Sequence, residues 1–242
     1  MTSTRLPGYG TRRRRPGASR SSGSPVSDLD SASDVRVDAR RNRRQLIVAT
    51  RAAIASLGLD VSALDIATAA GVGVGTLYRR FGTKEALLDA ALLGLYDELC
   101  ETAQACIERS DPWKGLAEFV MELAAAHRDS RGLAEVTAAC ERPPSPELAH
   151  RTAALQDAVI RLTERAHAAG ELRADVTWRD LMICSRAPLD TDHCLGVDAG
   201  PDGWRRVITI LLDGMRAPGR TPLHGPGPQI SHAGSPETPP KR

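Results

Sequence analysis

Apolar residues recur at three- and four-residue intervals through most of the chain, and no stretch alternates apolar and polar positions for long enough to form a convincing strand. The pattern predicts an all-α protein. Its first stripe, Leu46, Thr50, Ala53, Ile54 and Leu57, defines a helix from about Asp38 that Gly58 ends. Ser62 then reads as an N-cap, with Asp65 three residues on to complement the start of a second, short helix. Gly71 falls where that helix must stop and the chain must turn sharply. A third helix runs from about Val74 to Phe81. At roughly 100° per residue, Val74, Leu77, Tyr78 and Phe81 share one side, and Gly75, Thr76, Arg79 and Arg80 the other.

The remainder continues in helices. Thr83 caps a long pattern from Lys84 to about Arg109, and Asp111-Pro112 is an N-cap followed by proline at the first helical position. A short helix is expected from Gly132 to Cys140. Ser145-Pro146 opens another long one to about Gly170, and Thr177 opens one that stops near Pro188. A Gly/Asp-rich loop at 190–200 precedes a last helix from Pro201 through Trp204 to Met215.

Charge refines this picture. The formal net charge of the 242 residues is only +2, yet residues 1–51 hold 12 Lys/Arg against 4 Asp/Glu, leaving 20 against 26 for the rest. Positive charge therefore gathers at the N-terminal end, as a partner with a phosphate backbone would require. Residues 1–35, with Arg12 to Arg15 consecutive, bury too little apolar surface to fold and are expected to form a disordered arm; they lack the apolar core of a signal peptide. The Pro/Gly-rich tail from 218 to 242 is expected to be disordered as well. Between them, 36–83 reads as one helical unit and 84–217 as a second.

A short helix that docks by Val74, Leu77, Tyr78 and Phe81 and presents a threonine, two arginines and a glycine is suited to the major groove of duplex DNA. The competing reading is an ordinary helical pair with a solvated Arg-Arg face. The motifs favour the first. With the first-helix pattern at Arg44 and Leu46 to Leu57, the Asp65-Ile66-Ala67 and Ala70-Gly71-Val72 segments, and Gly75-Thr76-Leu77-Tyr78 followed by Phe81 and Lys84-Glu85, the stretch from about Arg40 to Leu93 resembles the DNA-binding domain of the tetracycline-repressor (TetR) family. The resemblance implies a helix-turn-helix that reads the major groove, phosphate contacts from Thr76 and Tyr78, and a backbone clamp at Lys84. It also places Arg40, Arg43 and Arg44, at the start of the first helix, close to the DNA backbone. Ser62, Gly73, Gly75, Arg79 and Arg80 complete the expected contact set. In one departure, Gly73-Val74 stands where the family often carries Ser or Thr after the turn, so a backbone N–H replaces a hydroxyl there.

For the second unit the resemblance implies a helical domain that senses an unknown small-molecule effector and forms a homodimer. Phe119, Met121, His127, Cys140 and Met182 lie on the helices expected to line a cavity, though each also reads as ordinary core. The last helix is apolar over more than one face, so Leu155, Val159, Leu162, Trp204, Ile208, Leu211 and Met215 are expected to pair with their copies. The function implied is a ligand-responsive regulator, a repressor that binds a near-palindromic operator. The alternative is a ligand-binding or interaction module with only non-specific DNA affinity.

Enzyme readings find no support in motifs. There is no P-loop, no Gly-x-Ser-x-Gly and no His-Glu-x-x-His, and the Gly71-x-Gly73-x-Gly75 run follows a helix rather than a strand. No cofactor or metal is expected. The five cysteines form no Cys-x-x-Cys pair, and their odd count without a secretory signal points to free thiols in the cytoplasm, at the nucleoid. A Cys184–Cys194 redox pair or a His193-Cys194 metal site is the sharper reading, but no structural zinc spacing supports it. No membrane association is expected.

Overall fold

The computed structural model describes residues 26–138, 144–187, 193–194, 197–198, 200–219 and 221–229. Nine helices occur among them, and the described residues from 41 onward form one compact unit. The first, α1 (Val26–Leu57), is followed by the short α2 (Ala63–Ala69) and α3 (Val74–Phe81) and the long α4 (Lys84–Ile107). Then come α5 (Pro112–Asp129), α6 (Arg131–Ala138), α7 (Pro146–Ala168), α8 (Trp178–Cys184) and α9 (Gly203–Met215). The loop before α9 contains one element that periodicity cannot reveal, a two-residue antiparallel pair, β1 (His193–Cys194) with β2 (Val197–Asp198), in register His193 to Asp198.

Local chemistry sets most helix starts. Ser62, Thr83, Asp111 and Ser145 each accept a backbone N–H from the residue three positions on, and Pro112 and Pro146 occupy first-turn positions where no N–H is missed. At Thr177 the cap is reciprocal, because Asp180 reaches back to the Thr177 amide at 2.7 Å. Gly71 takes φ of +67° at the turn. The first helix differs from expectation, since it begins at Val26 rather than near Asp38 and so includes residues 26–35 of the expected arm. No glycine or proline interrupts residues 26–57, so the backbone ladder runs through a segment with no apolar stripe to announce it. Residues 1–25, including the tetra-Arg run, lie outside the described residues.

The core is continuous from head to tail. Leu46, Ile54, Ile66, Leu77, Leu87 and Leu92 are fully buried among α1 to α4, and Leu116, Phe119, Leu148 and Leu162 continue the core among α4, α5 and α7. The pairing of α4 with α7 is the most extensive in the molecule. The buried Asp89 of α4 receives the Ser145 amide at 3.0 Å and so fixes where α7 begins. Leu57 departs from the expected stripe, for it is 51% exposed at the frayed end of α1.

The C-terminal segment also departs from expectation. Thr221 and Leu223 are tied to the α7–α8 connection by the buried Arg173 and its partner Asp175: the guanidinium pairs with both Asp175 oxygens and donates to the Thr221 carbonyl at 2.6 Å. Arg173 holds the Asp175 pKa down at about 2, and the Leu223 amide contributes further. Low apolar content does not reveal this attachment, because a buried guanidinium makes it by gathering carbonyls.

A second fixed point joins the end of α1 to α6. Gly58 has φ of +80°, and a Cβ there would collide with the Glu135 carboxylate, which accepts the Leu59 amide at 2.7 Å and Arg131 Nε at 2.7 Å. Gly132 brings α6 equally close to α1, as its Cβ would meet Ile54 Cβ at 3.0 Å. Gly58→Ala is therefore expected to destabilise the fold by about 1–2 kcal/mol from the left-handed backbone alone, with the collision adding to it. Adding Glu135→Ala should recover only the steric part. Urea unfolding of the two single variants and the double variant checks this; strictly additive losses would contradict the contact.

Candidate nucleic-acid interface and adjoining cavity

The recognition surface is built by α2 and α3. Leu77 is fully buried and Val74 and Phe81 half-buried, so these three seat α3 on the head. Arg79 and Arg80 lie exposed on the outer side, and neither has an ion-pair partner among the described residues. Thr76 is half-buried, and Tyr78 is 46% exposed. A Cβ at Gly73 or Gly75 would meet nothing within 4 Å, and neither residue has a positive φ. Nothing in the fold itself requires glycine at these two positions, which keep the front of α3 open to a close-approaching partner. Gly73 serves as N-cap of α3 with no side-chain bond, as its lack of a hydroxyl dictates.

The flanking candidates divide into free and engaged groups. Arg40, Arg43 and Arg44 are exposed, and Arg43 lies over the Phe81 ring at 5.4 Å, which orients it beside α3. Ser62 is occupied with its own helix, accepting from the Asp65 amide at 3.1 Å and donating to the Asp65 carboxylate at 2.6 Å. Lys84 donates to the Val61 carbonyl at 3.2 Å, tying the first turn of α4 to the entry of α2 and leaving two of its three N–H groups available.

Behind the head, five helices enclose a cavity of about 340 Å³. Tyr96 and Leu99 come from α4, Leu123 and His127 from α5, and Leu133, Val136 and Thr137 from α6. Leu148, Thr152, Leu155 and Gln156 of α7 form the opposite wall, with Met182 of α8 and Pro144 closing the remaining sides. His127 is 1% exposed; its Nδ1 lies 3.4 Å from Ser185 Oγ and its Nε2 3.4 Å from Thr137 Oγ1. Burial, reinforced by the nearby Arg186 guanidinium, lowers its pKa to about 4, so the imidazole is neutral at pH 7. Burial likewise raises the Tyr96 phenol, with the nearby Thr152 hydroxyl partly opposing the shift.

Of the expected pocket residues, the structure brings His127 and Met182 to this cavity. Phe119 is instead fully buried in the core, and Met121 faces a separate groove with Trp113 and Leu212. Cys140 lies outside the described residues. The dimer candidates need a similar correction. Leu155, Val159, Leu162, Trp204, Ile208 and Met215 are buried within the single chain, and Leu211 is half-buried. A helix apolar over more than one face spends its larger face on its own subunit, so these side chains are not free to meet a copy. The exposed apolar residues of this region are Ile183 and Ile210. The lining contributed by α6 and α7 was missed, although its three- and four-residue spacing (Leu133, Val136, Thr137; Leu148, Thr152, Leu155) is a helix face; the sequence does not say which face turns inward. Cys100, Cys106 and Cys184 are free thiols whose pKa values burial raises, which disfavours the reactive thiolate. Among the described residues no group of His, Cys, Asp or Glu is arranged to hold a metal, and no helix is long and apolar enough to cross a membrane.

Two family models match the chain. Residues 46–91 match the bacterial regulatory proteins of the tetR family, and residues 111–217 match the C-terminal domain of SbtR-like transcriptional regulators. The solved structures agree. A TetR transcriptional regulator from Streptomyces coelicolor is 28% identical with a TM-score of 0.51, over 72% of this chain and 98% of that one. A TetR regulatory protein from Mycobacterium vanbaalenii is 26% identical with a TM-score of 0.53, over 76% and 99%. The FadR regulator of Bacillus subtilis, solved with stearoyl-CoA, shares the fold at 20% identity and a TM-score of 0.51, over 71% and 98%. With both its helix-turn-helix and its C-terminal helices matched, the chain belongs to the tetR family of bacterial transcriptional regulators and is a DNA-binding protein of all-α fold.

Proposed function

We propose that this regulator is a repressor that binds a near-palindromic operator as a homodimer and leaves it when a small molecule fills the cavity behind the head. The observation that carries the reading is the outer side of α3, where two exposed guanidiniums, without an ion-pair partner among the described residues, share a side with a glycine that the fold does not need. In this reading 36–83 reads DNA and 84–217 senses and dimerises. The placing of α6 supports a link between the two, since Leu133, Val136 and Thr137 line the cavity while Gly132 and Glu135 grip the end of α1. That FadR of Bacillus subtilis holds stearoyl-CoA supports a ligand in a helical domain of this kind. An effector needs to prefer the released state by only about 1–3 kcal/mol.

The DNA-contact map is tested by substitution. Tyr78→Ala and Lys84→Ala are expected to weaken binding to all duplexes alike, by about tenfold each, whereas changes at Thr76 or Arg79 also shift base preference. Gly75→Ala is the sharper variant, because it should hold or raise stability by up to about 1 kcal/mol, as alanine does inside a helix, and yet weaken binding. Anisotropy titration with Arg161→Ala on α7 as control reads these effects; equal losses in the control would contradict the map. For the dimer, Ile210→Glu is expected to shift sedimentation from twice 25.9 kDa to the single-chain mass. A wild-type chain that sediments as a monomer at micromolar concentration would rule the dimer out.

A further inference from the structure

With the cavity taken as the effector site, the reading on which this inference rests, the chemistry of its wall limits what the effector can be. None of its described lining residues is Asp, Glu, Lys or Arg. A cationic ligand would shed its hydration shell with no carboxylate among the described lining residues to replace it, and an anionic one would find only the Arg186 guanidinium, whose Nη1 is already committed to the Ala134 carbonyl and Thr137 Oγ1, a cost that a neutral ligand does not bear. The volume, about 340 Å³, sits at the low end of the roughly 300–1,000 Å³ typical of small-molecule sites.

The polar groups are mostly spoken for. Thr152 Oγ1 sends its proton to the Leu148 carbonyl at 2.9 Å. Ser185 Oγ sends its proton to the Met182 carbonyl at 2.7 Å, so toward His127 Nδ1 it can only accept. That donor count puts the imidazole proton on Nδ1 and leaves Nε2 an acceptor. Among the described residues Nε2 has one hydrogen-bonding neighbour, Thr137 Oγ1 at 3.4 Å, whose proton is claimed by the nearer Leu133 carbonyl at 2.9 Å while its lone pair receives Arg186 Nη1. A buried acceptor without a short donor thus stands in the wall of an apolar cavity.

We infer that the effector is an uncharged, largely apolar small molecule carrying a hydroxyl or amide N–H that donates to His127 Nε2. The lowered pKa of His127 agrees, since a neutral imidazole keeps Nε2 free to accept at pH 7. Gln156, half-buried on the α7 wall, offers both a donor and an acceptor for a second polar group.

Three probes of one skeleton test this on the full chain by calorimetric titration at pH 7.5: 4-hexylphenol, 4-hexylanisole and 4-hexylbenzoate. The phenol is expected to bind about tenfold tighter than the anisole, which has the shape without the donor, the ratio that roughly 1.4 kcal/mol for one hydrogen bond gives. The benzoate is expected to bind at least about a hundredfold more weakly than the phenol. In His127→Leu the phenol and anisole should converge; if that variant does not fold, the wild-type ratio decides alone. Benzoate binding as tight as the phenol, equal phenol and anisole affinities in the wild type, or no binding by any probe at its solubility limit would each overturn the inference. Phenol binding with the expected ratios but unchanged DNA affinity would support the chemistry of the cavity and count against effector-driven release, so the two readings fail separately.

Discussion

Replacing Phe119 with alanine is expected to cost about 3–5 kcal/mol of folding free energy, the largest single effect in this molecule. The ring is fully buried on α5, within the core that α4, α5 and α7 share, and it does not line the cavity behind the head. Removing it takes away the transfer free energy of the ring and leaves a void that well-packed helices fill only in part. The same substitution at Met121, which is half-buried and faces a groove, should cost well under half as much. Urea unfolding followed by circular dichroism measures both. A Phe119→Ala loss below about 1.5 kcal/mol would mean that the ring faces open space, as expected of a pocket residue.

The second large effect is a pH dependence centred on His127. Its folded pKa of about 4 lies below the 6.5 it returns to on unfolding, so between these values only the unfolded chain takes up the proton. Stability is therefore complete above pH 6.5 and falls as the pH drops toward 4, by up to roughly 3 kcal/mol. Thr137 from α6 and Ser185 beyond α8 face the ring with neutral oxygens, and Arg186 supplies the charge that opposes protonation. The window is clean with respect to the Arg173–Asp175 pair, whose contribution is lost only as the pH falls from 3.8 through about 2. Thermal melts from pH 7.5 to 4.5 should show the decline, and His127→Gln should flatten it. A wild-type melting temperature that holds constant across this range would contradict the buried, neutral imidazole.

The reading half of the molecule was largely legible because its signals are local. Ser62 with Asp65, Gly71 at positive φ, Leu77 inward and Arg79-Arg80 outward are each decided within a few residues. The helix starts at Lys84, Pro112 and Pro146 follow from caps and prolines in the same way. What escaped depends on long-range packing. Whether Leu155 faces a copy or its own cavity depends on where α4 sits, and the hold of Arg173 on Thr221 spans 48 residues. The early start of α1 escaped for another reason, since the sequence of 26–35 carries no apolar stripe and so leaves no periodicity to read.

The most direct test of specific DNA recognition is selection from a random duplex pool, followed by anisotropy on the enriched sequence against its scramble at near-physiological salt. A near-palindromic sequence is expected to emerge and to be bound ~10³-fold or more tightly than the scramble, with the preference lost in Tyr78→Ala and Arg79→Ala combined. A pool that yields no enriched sequence, with binding that is indifferent to sequence and falls steeply with salt, would contradict specific recognition.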